Sequence, residues 1–147
     1  MGIYSYHFRV NATGTVEIIN VDKTPDDSSV EELTVVGDKL FFAAYDPVYS
    51  WDLWITEETS LSTVPVREHD ESYRYCVPEK LTAVGDLLFY TCYDIFAGRE
   101  LWRSDGTEAG TFLVKDINLG ITPSDYSYFT IFNNNLYFFC RRRCAWI

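Results

Sequence analysis

A period of 48 residues runs through this 147-residue chain and constrains its fold more than any single motif does. Leu33-Thr-Val-Val-Gly-Asp-Lys-Leu-Phe-Phe42 returns as Leu81-Thr-Ala-Val-Gly-Asp-Leu-Leu-Phe-Tyr90 and again as Phe129-Thr-Ile-Phe-Asn-Asn-Asn-Leu-Tyr-Phe138, each copy 48 positions after the last. Leu53-Trp54 and Leu101-Trp102 keep the same spacing, and Gly14-Thr15 stands two periods before Gly110-Thr111. A fixed period of this size is the mark of supersecondary units that bury their apolar faces against one another.

Each unit reads as four short strands. The first is Leu81–Val84, closed by the hairpin-type turn Gly85-Asp86. Leu87–Tyr93 is the second, the third surrounds Leu101-Trp102, and the fourth is Thr111–Ile117, followed by a polar linker over 118–128. Four antiparallel strands in about 40 to 50 residues is the size of a propeller blade. No stretch shows helical periodicity with caps. The expected fold is all-β, a β-propeller-like array of four-stranded antiparallel repeats, in the form of an incomplete propeller.

The single repeat domain 1–147 divides into a half repeat (1–32), two repeats (33–80 and 81–128) and a second half repeat (129–147). In the first half Tyr6 takes the Trp102 position and Thr15–Val21 the fourth strand. The halves are complementary, which leaves three arrangements: a segment of a longer array, a ring shared with a second copy, or closure on three units. Closed propellers have roughly four to eight blades, and unpaired strand edges invite other chains, so a longer array is the favoured expectation. At Arg141-Arg-Arg-Cys-Ala-Trp-Ile147 the pattern fails, with Arg142 where earlier copies have Asp46 and Asp94. This reads as a scrambled repeat end rather than a basic recognition tail.

The sharpest local motif is Glu100-Leu-Trp-Arg-Ser-Asp-Gly-Thr-Glu-Ala-Gly-Thr111. Its Asp-Gly favours a turn, because Gly reaches positive φ freely and Asp bonds its own backbone. The apolar segment from Thr111 to Ile117 predicts the returning strand of a hairpin. Asp105 is open to a calcium or sugar role, but a turn role is favoured. With the Leu-Val-Lys-Asp-Ile that follows, this stretch resembles the repeat family named for its ELWxxDGT signature. The resemblance implies a propeller-like fold and a secreted or cell-surface bacterial parent, and it brings no catalytic residue.

A net charge of −10 disfavours nucleic acid and anionic membranes as partners and favours solubility, cations or a basic partner. No apolar run approaches the length of about 18 residues needed for a membrane span, and residues 1–10 do not read as a signal peptide. Aromatic residues make up 17% of the chain. Phe41-Phe42, Phe89-Tyr90 and Tyr137-Phe138-Phe139 recur at one place in each unit, which points to core rather than to sugar stacking. Among the cysteines, Cys92 and Cys140 lie one period apart and suggest small buried positions. Cys140 and Cys144 in an extended strand would sit about 13 Å apart, too far for a bridge. Cys76 falls in a linker as the most exposed candidate, and free thiols are expected.

Residues that recur in every unit are scaffold first. On that ground Asp38, Asp86 and Asn134 are turn residues. Asp22, Asp70 and Asn118 align after the fourth strand, where a turn or cap role outweighs calcium, which needs roughly six to eight oxygen ligands. His7 and His69 stand alone, outside any metal-ligand spacing. Glu57-Glu58 and Glu68-His-Asp-Glu71 are acidic, and nothing selects a glycosidase pair among them. Asn11-Ala-Thr13 is formally a glycosylation sequon in an expected turn. No catalytic residue, cofactor-binding residue or metal ligand is assigned, and calcium is the one weak cofactor candidate. The expected function is a non-enzymatic binding or structural module for a protein or glycan. A propeller-class glycoside hydrolase or lyase, and a gene remnant without independent function, are the alternatives.

Overall fold

A computed structural model of the chain describes residues 7–10, 16–19, 29–46, 50–57, 63–67, 76–121 and 124–141. The structure is all-β. The first half repeat gives β1 (His7–Val10) and β2 (Val16–Ile19), paired as a two-stranded sheet. The next unit gives β3 (Val30–Val36), β4 (Lys39–Asp46), β5 (Ser50–Glu57) and β6 (Thr63–Pro65), in spatial order β3-β4-β5-β6. The following unit repeats this meander with β7 (Glu79–Val84), β8 (Leu87–Asp94), β9 (Gly98–Ser104) and β10 (Phe112–Lys115). A last hairpin is formed by β11 (Asp125–Phe132) and β12 (Asn135–Arg141). The period is therefore structural: β4 starts at Lys39, β8 at Leu87 and β12 at Asn135, 48 residues apart. Among the described residues the two half repeats lie in separate sheets and do not combine into a shared blade.

The sequence explains the turns. Gly37 and Gly85, at φ +61° and +57°, take the first central position of two-residue hairpin loops, the pattern of a type II′ turn. In the last unit Asn133 and Asn134 both have positive φ, 49° and 57°, as a type I′ turn requires. The next loop is closed by Ser50 and Gly98 in the left-handed region, again one period apart. In it, Asp94 Oδ1 accepts the Phe96 and Ala97 N–H groups at 2.7 and 2.8 Å.

The first strands start earlier than the alternation of the sequence suggests, and a bulge is the reason. Register breaks between Glu31 and Thr34, between Glu79 and Thr82, and between Ser127 and Thr130. The residue inside each bulge is left-handed although it is not glycine: Glu32, Lys80 and Tyr128, at φ 60°, 58° and 58°. A threonine two residues on donates its hydroxyl to that residue's carbonyl in all three copies, at 3.1, 2.9 and 3.2 Å. The bond recovers part of the cost of about 1–2 kcal/mol that a left-handed L-residue carries.

The two four-stranded sheets face each other across the larger core cluster. Val36, Phe41, Leu53 and Ile55 come from the first sheet and Leu81, Leu88, Tyr90, Cys92 and Trp102 from the second. Complete burial of one such aromatic side chain contributes about 1.5–3 kcal/mol. The opposite face of the first sheet holds a smaller cluster of Phe42, Ala44 and Trp54. The expectation that the recurrent aromatics are core holds for Phe41, Phe42 and Tyr90 but not for Tyr137 and Phe139, which are exposed. Their hairpin is a two-stranded sheet, and no described residue buries that side of it. The first strands of the two full units lie side by side: Leu81 N–H donates to the Glu32 carboxylate at 3.2 Å, and the Thr34 hydroxyl reaches the Leu81 carbonyl at 3.3 Å. No helix among the described residues is long and apolar enough to cross a membrane.

Candidate functional site

The signature stretch lies on β9 and the loop after it. Strand alternation does not divide its residues simply into core and solvent, because Glu100, Leu101 and Trp102 are all buried. The loop bonds to itself. Asp105 Oδ1 accepts from the Thr107 hydroxyl at 2.7 Å and the Thr107 N–H at 2.9 Å, and these bonds hold the carboxyl below the usual aspartate range. The Thr107 hydroxyl oxygen in turn accepts the Gly110 N–H at 3.0 Å. Ser104 and Thr111 hydroxyls meet at 2.8 Å, and the Thr111 hydroxyl donates to the Thr107 carbonyl at 2.6 Å. A Cβ on Gly110 would fall 2.1 Å from the Asp105 carboxylate, which accounts for glycine there. The carboxylate thus has the turn role that the sequence favoured.

The same loop joins neighbouring units. Lys39 Nζ donates to the Asp105 carbonyl at 3.1 Å, and a Cβ on Gly106 would lie 2.7 Å from Ile55 Cδ1. Arg67, from the end of the earlier unit, sits 5.4 Å from the Trp102 ring centroid. Burial, with Asp52 nearby, pushes the Tyr90 phenol above its ordinary value, and Arg67 opposes that shift.

Glu100 was not singled out by sequence reasoning, yet four donors converge on it. Its side chain is 0% exposed. An isolated buried carboxylate costs several kcal/mol, so it persists only where donors surround it. Here Ile117 N–H donates at 3.1 Å, Asn118 N–H at 3.2 Å and the Ser124 hydroxyl at 3.0 Å, and the Tyr126 hydroxyl also bonds to it. Burial and the Glu100 carboxylate together raise the Tyr126 phenol above its ordinary value. These bonds fix the path of the linker into β11. The signal was present in the sequence: Asp52 and Glu100 precede the two Leu-Trp pairs one period apart, and Asp52 is buried as well.

The cysteines differ from expectation. Cys76 and Cys92 form a disulfide, with Cα atoms 5.1 Å apart, and Cys76 is buried rather than exposed. The linker before β7 folds back onto β8, a proximity that spacing along the chain does not encode. Cys140 is a half-buried free thiol.

No family model, curated protein or solved structure matches this chain.

Asp38, Asp86 and Asn134 lie exposed in the two-residue turns, and Asn118 is buried beside Glu100. Of His7 only the backbone of β1 is described, and of Glu57 only that of β5. Asp22, Asp70, Glu58, Glu68–Glu71 with His69, Asn11–Thr13, Tyr6, Arg142, Arg143 and Cys144 lie outside the described residues. Among the described residues no group of three or more His, Cys, Asp or Glu is placed to hold a metal ion. Strands alternate in direction, so the β8–β9 loop and the linker after β10 emerge at one end of the second sheet. The Ser124 N–H bond to the Arg99 carbonyl, 3.2 Å, ties them together. Phe96, Leu119 and Ile121 are all exposed at that end, an apolar group on an acidic protein.

Proposed function

We propose that the chain is a non-enzymatic, propeller-like module of ELWxxDGT-type repeats from a secreted or cell-surface protein, and that it binds a protein or glycan through its loop end. The observation that carries this reading is where the buried acid is engaged. Glu100, the fully buried carboxylate, holds the linker between units, and Asp52 stands at the same place one period earlier. Acid–base hydrolysis of a glycoside uses two carboxylates about 5 to 10 Å apart across the bond to be cut. A repeated acid bonded to backbone is scaffold instead. Side-by-side packing of β3 and β7 supports the propeller element, since blades gather their first strands around an axis. The Cys76–Cys92 disulfide supports an oxidising compartment.

The binding surface under this reading is the end carrying Phe96, Leu119 and Ile121. Screening the purified chain against glycan arrays and candidate surface proteins is expected to give a ligand whose affinity drops at least tenfold in Phe96→Asp/Leu119→Asp, about 1.4 kcal/mol or more. Turnover of a glycoside or ester that disappears with loss of one carboxylate would overturn the reading.

A further inference from the structure

We infer that the free edge and open face of the β11–β12 hairpin form a docking site for a second copy of this chain, which adds its β1–β2 hairpin as third and fourth strands. Phe132, Tyr137 and Phe139 share one face of the hairpin and are 62%, 54% and 53% exposed. Two periods earlier, the same face of a unit is an interface. Val36 and Phe41, the counterparts of Phe132 and Tyr137, lie in the core shared by the two full sheets, and Phe41 is 0% exposed. The open face therefore continues an interface already built between neighbouring units.

The edge adds a second constraint. β4 pairs on one side with β3 and on the other with β5, and β8 pairs likewise with β7 and β9. β12 pairs with β11 alone among the described residues. The missing strand has a defined register. Phe41 faces Ile55 and Leu40 faces Thr56, so carrying the period forward sets His7 opposite Tyr137 and Phe8 opposite Leu136. β1 and β2 have the complementary lack: they occupy third- and fourth-strand positions, and no first or second strand pairs with them among the described residues. They also pair three residues away from the register kept by β5–β6 and β9–β10, with His7 opposite Ile19 where the repeat would place Val16.

Closure within one chain would make a ring of three units, fewer than the roughly four to eight of closed propellers. A reciprocal exchange of hairpins between two copies has two-fold symmetry and pairs the β12 edge of each with the β1 edge of the other. This inference uses the propeller part of the proposed function and not its ligand.

The test is light scattering after size exclusion over a range of concentrations, with equal amounts of isotopically labelled His7→Cys chain and unlabelled Tyr137→Cys chain treated with a short thiol cross-linker. The expected result is a discrete species of twice 17.0 kDa that dissociates on dilution, with a bridge joining position 7 of one chain to position 137 of the other. Tyr137→Lys/Phe139→Lys, at side chains exposed in the single chain, should leave the circular dichroism unchanged and shift the protein to monomer. A monomer at every concentration, no bridge between the labelled and unlabelled chains, or a dimer that survives the lysine substitutions would each overturn the inference. Ligand binding at Phe96 and Leu119 is measured separately, so its failure is distinct from failure here.

Discussion

Replacing Glu100 with glutamine keeps the length of the side chain but turns one acceptor oxygen into a donor. The groups around it are the Ile117 and Asn118 N–H groups and the Ser124 and Tyr126 hydroxyls. A hydroxyl can reverse its bond and a backbone N–H cannot, so at least one amide loses its partner unless the whole arrangement turns. Bonds to a charged group contribute about 1.5–3 kcal/mol each, and a buried unsatisfied donor costs about 1–3 kcal/mol. Glu100→Gln is therefore expected to lower stability by about 2–4 kcal/mol in urea unfolding, with the m-value retained. A change under 0.5 kcal/mol would show that the carboxylate does not hold the linker. The role of the recurrent threonines is hidden in the sequence. Thr34, Thr82 and Thr130 recur openly, yet their role depends on the left-handed residue two places before each one. Glu32, Lys80 and Tyr128 share no chemistry that would announce that conformation. Backbone strain of this kind is visible only once the bulge is in place.

The units were legible as elements because their turns are chemical. Gly-Asp at 37–38 and 85–86 and Asn-Asn at 133–134 fix two-residue hairpins, and they set the register of the strands on either side. The linkers were not legible in this way, since their paths depend on contacts with other elements. Cys76 illustrates this: it stands at the position of Ser124 in the next unit, and instead of bonding a buried acid it bridges to Cys92 on β8. The bridge closes a sequence separation of 16 residues. A loop of that size restricts the unfolded chain by about 3 kcal/mol in the chain-entropy account. Cys76→Ser/Cys92→Ala is expected to lower the free energy of unfolding by about that amount, within roughly 2–5 kcal/mol. Peptide mapping without reductant should recover the linked pair from the parent chain. Equal stability of parent and variant would mean that packing of the linker, and not the bridge, orders it against β8.

Across the whole molecule the repeat makes stability unequal along the chain. In arrays of this type each unit contributes its own stability and an interface with its neighbours, so the ends are weaker than the middle. β4 and β8 have strands on both sides, and both contribute to the core shared by the two full sheets. β11–β12 has one pairing and, apart from Tyr126, side chains that are half-buried or exposed. Local opening therefore costs less in the hairpin than in the centre, and hydrogen exchange reads that difference directly. In dilute monomeric protein, the amides of β4, β5, β8 and β9 are expected to exchange last, and those of β12 about tenfold or more faster. Their order also tests the joint at Gly106, where a Cβ added to the loop of one unit would lie 2.7 Å from Ile55 Cδ1 on the other. Gly106→Ala is strained at φ +95° and crowds Ile55 at that joint. In the variant, β5 and β9 should lose protection together, because each sheet loses the other's cover. Loss confined to β9 and β10 would mean that the two sheets are stable separately, and that their shared core does not couple them.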